Sequence, residues 1–158
     1  MSPQTRAVEG WTLQPLTDFV REASARLVLV LTPSGQVLAQ SGFSRAVDVM
    51  SAAALGAAII ASTTEMAKQL KQAPFAFLSH QGQRHGIFLA ASVTARGPVV
   101  ALVVYDLDVS SVGLVQLFYE QLAADLRTAT PKGPVPKQVL AADFERELTD
   151  SLNTLFGR

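Results

Sequence analysis

Residues 27–42, "LVLVLTPSGQVLAQSG", decide how the rest of the chain is read. Leu27 to Leu31 form an unbroken apolar run, the pattern of a strand covered on both faces. Pro33 suits the first corner of a tight turn, and Gly35 accepts the positive φ that such a turn needs. Gln36 to Gln40 then returns as a second strand. Hairpins of this kind open many small regulatory domains, so the flanking elements must decide between them.

Upstream, Leu16, Phe19, Val20 and Ala23 recur at helical spacing and predict a helix over Leu13 to Ala25. Downstream, a long helix is predicted from Ala46 to Lys71, ending at "QAPF" because Pro74 disfavours helical geometry in the residue before it. Three strands follow, "FAFLSH" (75–80), "HGIFLAASV" (85–93) and "GPVVALVVYDL" (97–107), joined by "QGQR" and "TARG". The last is almost wholly apolar and belongs at the centre of a sheet. Ser110 or Ser111 then caps a third helix with Val115, Phe118, Tyr119, Leu122 and Leu126 on one stripe. The order α-β-β-α-β-β-β-α with short connections favours antiparallel neighbours. The expectation is an α+β domain over residues 13–129, with a five-stranded antiparallel sheet and helices on its faces.

"TPKGPVPK" (130–137) carries three prolines in eight positions and reads as a semi-extended tether, residues 130–138. Residues 139–158 then form a short amphipathic helix with Phe144, Leu148, Leu152, Leu155 and Phe156 on one face. A helix of that length is marginal alone, so its apolar face needs a groove on this domain or on a partner.

Composition limits the function. The chain has 158 residues, enough for one domain with a substantial core, and at 49% hydrophobic and 16% charged it is not a disordered chain. Thirteen basic and thirteen acidic residues balance, so there is no electrostatic case for nucleic acid. The absence of cysteine excludes disulfides, thiolate metal sites and cysteine nucleophiles, and fits a reducing cytoplasm. The first fifteen residues lack an apolar secretory core. The run "AAALGAAIIA" (52–61) is shorter than the roughly twenty residues that span a bilayer. A soluble, cytoplasmic protein without membrane insertion is expected.

The long helix is the most informative element. A helical wheel puts Leu55, Ile59, Met66 and Leu70 on one stripe, flanked by Ile60 and Ala67, and assigns that stripe to the core. The opposite face carries Ala54, Ala58, Ala61, Glu65, Lys68 and Gln72. Alanine is a good helix former wherever it sits, but a small-residue face also lets another helix approach closely. The following stretch "FAFLS", with Phe75, Phe77 and Ser79, is apolar, uncharged and expected at the sheet edge. Such an edge invites strand pairing unless it is covered. A second copy of the chain would cover both edge and helix.

No constellation carries chemistry. His80 and His85 flank a turn without an Asp, Glu or Cys to complete a metal ligand set, and read as solvent-facing turn residues. Ser79, His85 and Asp106 supply the residue types of a hydrolytic triad, but no Gly-x-Ser-x-Gly elbow surrounds any serine. "SGQVLAQSG" and "GQRHG" lack the Gly-Lys-Ser/Thr ending and the strand–loop–helix setting of a phosphate loop. Asp106 and Asp108 are expected to cap the next helix or a turn. Arg45, Arg84 and Arg96 fall in loops, from which an arginine can reach a nucleotide in trans, and read as solvated. No catalytic residue, cofactor or metal is expected.

The hairpin "VLVLTPSGQVLAQSG", the Ala-rich helix ending "MAKQL", the "FLSHQGQRHGIFLA" hairpin and "VVALVVYDLDVSSVGLVQL", in this order and spacing, resemble the Roadblock family, most closely its bacterial MglB type. The likeness covers residues 16 to 128 and resumes in "DFERELTDSLNTLFGR". It implies a profilin-like Roadblock domain and a cytoplasmic homodimer whose edge strands (Phe75, Phe77, Ser79) pair and whose long helices pack side by side. It further implies binding to a small Ras-like GTPase of the MglA type, in cell polarity or gliding motility. The implied effect is stimulation of GTP hydrolysis without an arginine finger, with nucleotide exchange as a second candidate effect. The contacts so implied are Ala54, Ala58, Ala61, Glu65 and Lys68 on the long helix, with the apolar face of the C-terminal helix as a second contact. Glu65 departs from the small apolar residue usual in similar proteins, which bears on partner specificity. Two other readings remain: a Roadblock scaffold that binds without stimulating, and a PAS- or GAF-like small-molecule sensor. The sensor would need inward polar groups, and "LVLVL" and "ALVVY" offer none before Tyr105.

Overall fold

A computed structural model of the chain describes residues 4–132, 146 and 148–155. Its elements are β1 (Thr5–Ala7), a 3-10 turn (Gly10–Thr12), α1 (Leu13–Ala23), β2 (Leu27–Leu31), β3 (Val37–Ser41), α2 (Ala46–Gln69), β4 (Leu78–Gln81), β5 (His85–Thr94), β6 (Gly97–Asp106) and α3 (Val112–Ala129). The strands form one antiparallel sheet in the order β1-β3-β2-β6-β5-β4. The α+β class and helix order match the expectation, but the sheet has six strands rather than five. The extra strand, β1, is three residues of mixed polarity, too short for periodicity to reveal. It is held by its partner: Thr5 lies opposite Ser41 and Ala7 opposite Ala39.

The β2–β3 hairpin closes as its sequence dictates. The Gly35 amide donates to the Thr32 carbonyl at 2.9 Å, with Gly35 at φ +93°. β5 and β6 pair along their full length, from His85 opposite Asp106 to Thr94 opposite Gly97, and the Thr94 hydroxyl donates to the Gly97 carbonyl.

Two apolar layers flank the sheet. On one face, Leu16, Phe19 and Val20 of α1 and Val115, Tyr119, Leu122 and Leu126 of α3 pack over Val28, Val30, Phe88, Val103 and Tyr105. The Ser110 hydroxyl donates to the Ala23 carbonyl at 2.8 Å, fixing the start of α3 against the end of α1. The Ser111 side chain caps α3 by accepting from the Leu114 amide, which settles between the two serines. On the other face, Leu29, Leu31, Leu89, Val100 and Leu102 are covered by α2, with Phe43 beside it.

Three boundaries differ from expectation by two residues or more. α1 stops at Ala23 because Ser24 turns left-handed at φ 52°. α2 ends at Gln69, with Lys71 at φ 56° just beyond. "FAFLSH" becomes strand only from Leu78, so Phe75 and Phe77 precede β4.

Candidate partner-binding surface

α2 packs on the sheet with its small residues inward. Ala53 and Ala67 are 1% exposed, and a Cβ on Gly56 would stand 3.1 Å from Leu102 Cδ1 and 3.7 Å from Leu89 Cδ2. An axis this close to the strands has room only for glycine and alanine beneath it. Of the stripe assigned to the core from the wheel, only Ala67 on its flank is fully buried. Leu55, Met66 and Leu70 are exposed, Leu55 by 65%, and only Ile59 and Ile60 are half-buried against the sheet. The wheel equated bulk with burial, whereas close helix–sheet approach selects for the opposite. Met50 and Val47 extend the exposed apolar surface toward the helix start.

α2 also corrects the expectation about apolar length: by length and composition alone, Ala46–Gln69 is long and apolar enough to cross a membrane. One such helix is weak evidence of a span, and here it lies on a sheet.

Ala54, Ala58, Ala61, Glu65 and Lys68 all face outward and are exposed. Glu65 and Lys68 form an ion pair at 3.7 Å, worth little at such exposure. Ser62 and Thr63 donate to the carbonyls of Ala58 and Ile59 at 2.8 and 2.9 Å, satisfying their hydroxyls within the helix. Gln72 lies beyond the helix end, exposed. The middle of α2 thus presents alanines flanked by leucine, isoleucine and methionine, over an area where monomeric proteins seldom leave apolar patches.

β4 is the sheet's last strand, paired with β5 alone among the described residues. Ser79 sits on it, exposed. Phe75, in the approach to the strand, is also exposed. Phe77 is half-buried and stacks on Phe88 with ring centroids 5.4 Å apart, so its ring belongs to the domain's own core. β5 runs five residues beyond β4, from Ala90 to Thr94.

The titratable residues assemble differently from the sequence reading. His80 and His85 are strand residues, not turn residues: His80 lies opposite Ile87, and His85 opens β5 opposite Asp106. His85 Nε2 stands 2.9 Å from Asp106 Oδ1, and Arg26 Nη1 donates to both oxygens of that carboxylate at 3.3 Å. Asp106 is therefore an ion-pair centre, and its turn role falls to its carbonyl, which accepts from the amides of Val109 and Ser110. Ser79 lies opposite Phe88, three positions along β5 from His85, so the triad is not assembled. Among the described residues no group of three His, Cys, Asp or Glu side chains is placed to hold a metal ion. Arg45 stands 3.9 Å from Asp48 at the start of α2, Arg84 precedes β5, and Arg96 lies in the β5–β6 turn.

In the C-terminal segment residues 148–155 are helical, with Leu148, Leu152 and Leu155 exposed. Phe144, Phe156 and most of the expected tether lie outside the described residues.

The fold has relatives. A family profile described as the Roadblock/LC7 domain matches residues 11–105. A solved structure of the gliding protein MglB from Thermus thermophilus superposes with a TM-score of 0.66 at 25% identity, covering 76% of this chain and 88% of that one. A structure described as MglB with tetrameric arrangement gives 0.65 at 26% identity, covering 75% and 86%. Myxococcus xanthus MglB gives 0.62 at 24% identity, covering 70% and 87%, and supports the fold alone. No curated protein matches the sequence.

Proposed function

The chain belongs to the Roadblock/LC7 family, and from that premise we propose that it is a homodimeric, cytoplasmic regulator of a small Ras-like GTPase of the MglA type. In this reading it has no active site of its own and accelerates GTP hydrolysis by the GTPase it binds. One observation carries the reading: α2 turns Leu55, Met66 and Leu70, together with Ala54, Ala58 and Ala61, away from its own core. Leu55, Met66 and Leu70 leave more than half of their surface in water, and a partner that covers them gains that apolar burial. The likeness to gliding-protein MglB structures puts cell polarity or motility first among the processes to examine.

In this reading the surface has two uses. The Leu55–Met66–Leu70 flank together with the β4 edge serves the second copy, where strand pairing and helix packing act together. Ala54, Ala58, Ala61, Glu65 and Lys68 receive the GTPase, alanine allowing close backbone approach and the charged pair adding register. The leucines of the C-terminal helix supply a further contact. The tether keeps that helix at high local concentration.

The test is GTP turnover by the small Ras-like GTPase encoded in the same cell, with and without this protein. Faster single-turnover hydrolysis at saturating protein supports the reading. Stable binding to the GTP-loaded form with unchanged hydrolysis assigns the scaffold role instead, and no binding in any nucleotide state overturns both.

A further inference from the structure

The short strand β1 creates a feature that the rest of the fold does not need. Between β1, β3 and the first turns of α2 lies an open groove of about 360 Å³, walled by Val8, Phe43, Val49 and Met50 and rimmed by Arg6 and Arg45. Its floor is apolar and its rim is basic. Val8 and Met50 are among the most exposed large apolar residues of the domain. Among the described residues Arg6 meets only the Gln4 side chain, at 3.3 Å, and Arg45 only Asp48, at 3.9 Å, both at the surface.

The same chain carries a segment with the complementary character. Leu148, Leu152 and Leu155 share one face of the C-terminal helix and are exposed. Residues 139–156 hold four carboxylates, Asp143, Glu145, Glu147 and Asp150, against the single Arg146. The connection reaches. Because Ser110 ties the start of α3 to the end of α1 and α3 packs against the Gly10–Thr12 turn, α3 finishes beside the residues that follow β1. From Thr130 the seventeen residues to 147 span up to about 55 Å when extended, against about 10 Å for the three-residue β1 at the sheet edge.

We propose that the C-terminal helix docks in cis in this groove, its leucines on Val8, Phe43, Val49 and Met50, with the acidic charge of the segment drawn to Arg6 and Arg45. The groove is then a resting place that a partner protein must empty before it can take the helix. The inference stands on the groove and the helix, and does not depend on the identity of any GTPase.

The chain has no cysteine, which gives a clean test. Met50→Cys combined with Leu152→Cys in the full chain is oxidised mildly and followed on a non-reducing gel. A second pair, Val109→Cys with Leu152→Cys, samples the separate cleft beside Arg26, His85 and Asp106. Docking predicts an intramolecular disulfide that forms at least about fivefold faster in the first pair than in the second, reflecting a raised effective concentration. Adding Arg6→Glu and Arg45→Glu to the first pair slows it by a similar factor, with an unchanged circular dichroism spectrum. Equal rates in the two pairs overturn the proposal. So does a first-pair disulfide that links two chains instead of closing one, since it would place another copy's helix in the groove.

Discussion

Tyr105 crosses Gly86, its partner in the β5–β6 register, so closely that a Cβ on residue 86 would stand 2.3 Å from the tyrosine Cζ and 2.4 Å from its hydroxyl oxygen. Both residues are buried, and the ring fills the space that a side chain on residue 86 would take. Gly86→Ala therefore forces the ring aside within a packed layer. The expected loss is about 2 kcal/mol, seen as a melting temperature lower by roughly 5–10 °C. A shift of less than about 2 °C shows that the ring relaxes freely.

Ala61 points away from the sheet and is exposed. Ala61→Arg is expected to leave the circular dichroism spectrum and melting temperature unchanged and to abolish capture of the GTPase. Retained capture by the folded variant moves the docking surface elsewhere.

Dimerisation is tested on α2 and not at Phe77, because Phe77→Lys would also remove the stacking partner of Phe88. Leu55→Lys with Met66→Lys alters two exposed positions only. Light scattering should report a dimer for the wild-type chain at micromolar concentration and a folded monomer for the variant. A wild-type monomer removes the homodimer from the proposal.

Stimulated hydrolysis, once measured, should survive separate alanine substitution of Arg45, Arg84 and Arg96. An arginine finger is worth about a thousandfold or more, so a hundredfold loss at any one of them would reveal a finger.

Most of the fold was legible because its elements announce themselves. "LVLVL" and "VVALVVY" are continuous apolar strands, and the Leu16–Phe19–Val20–Ala23 spacing has no reading but a helix. β1 was not legible: three residues whose structure comes from Ser41, Gln40 and Ala39 opposite them carry no local signal. The orientation of α2 misled for a physical reason. Periodicity locates two faces, and which one is buried depends on how near the sheet lies, a tertiary quantity. Gly56 was the available sign, since glycine within an alanine-rich helix marks a close approach. The outward alanines sit on the exposed face as expected, whereas of the stripe expected in the core only Ala67, Ile59 and Ile60 meet the sheet. The His85–Asp106–Arg26 cluster draws on three strand ends, distant in sequence and joined only by register.

Alkaline stability offers a prediction from Tyr119. Burial raises its pKa above the usual value of 10.0, and the nearby Ser92 hydroxyl and the Arg127 charge oppose the rise only in part. The folded state thus holds the phenol proton more tightly than the unfolded chain does. That contribution is fully present below pH 10 and is lost as pH climbs from the unfolded toward the folded pKa. Denaturant titrations above about pH 10 should show falling stability, with a shallower fall in Tyr119→Phe. Parallel curves would assign the alkaline loss to other groups.

The placement of bulk on the outside of α2 has a hereditary consequence. The inner positions, Ala53, Gly56 and Ala67, answer to steric volume, and any enlargement there is felt by the fold at once. The outer positions, Leu55, Met66 and Leu70, add little to the domain's own stability, so changes among them pass unseen by folding and are judged only by what the helix touches. A lineage carrying this domain can therefore drift from one partner to another along a single helix face while keeping the same sheet beneath it.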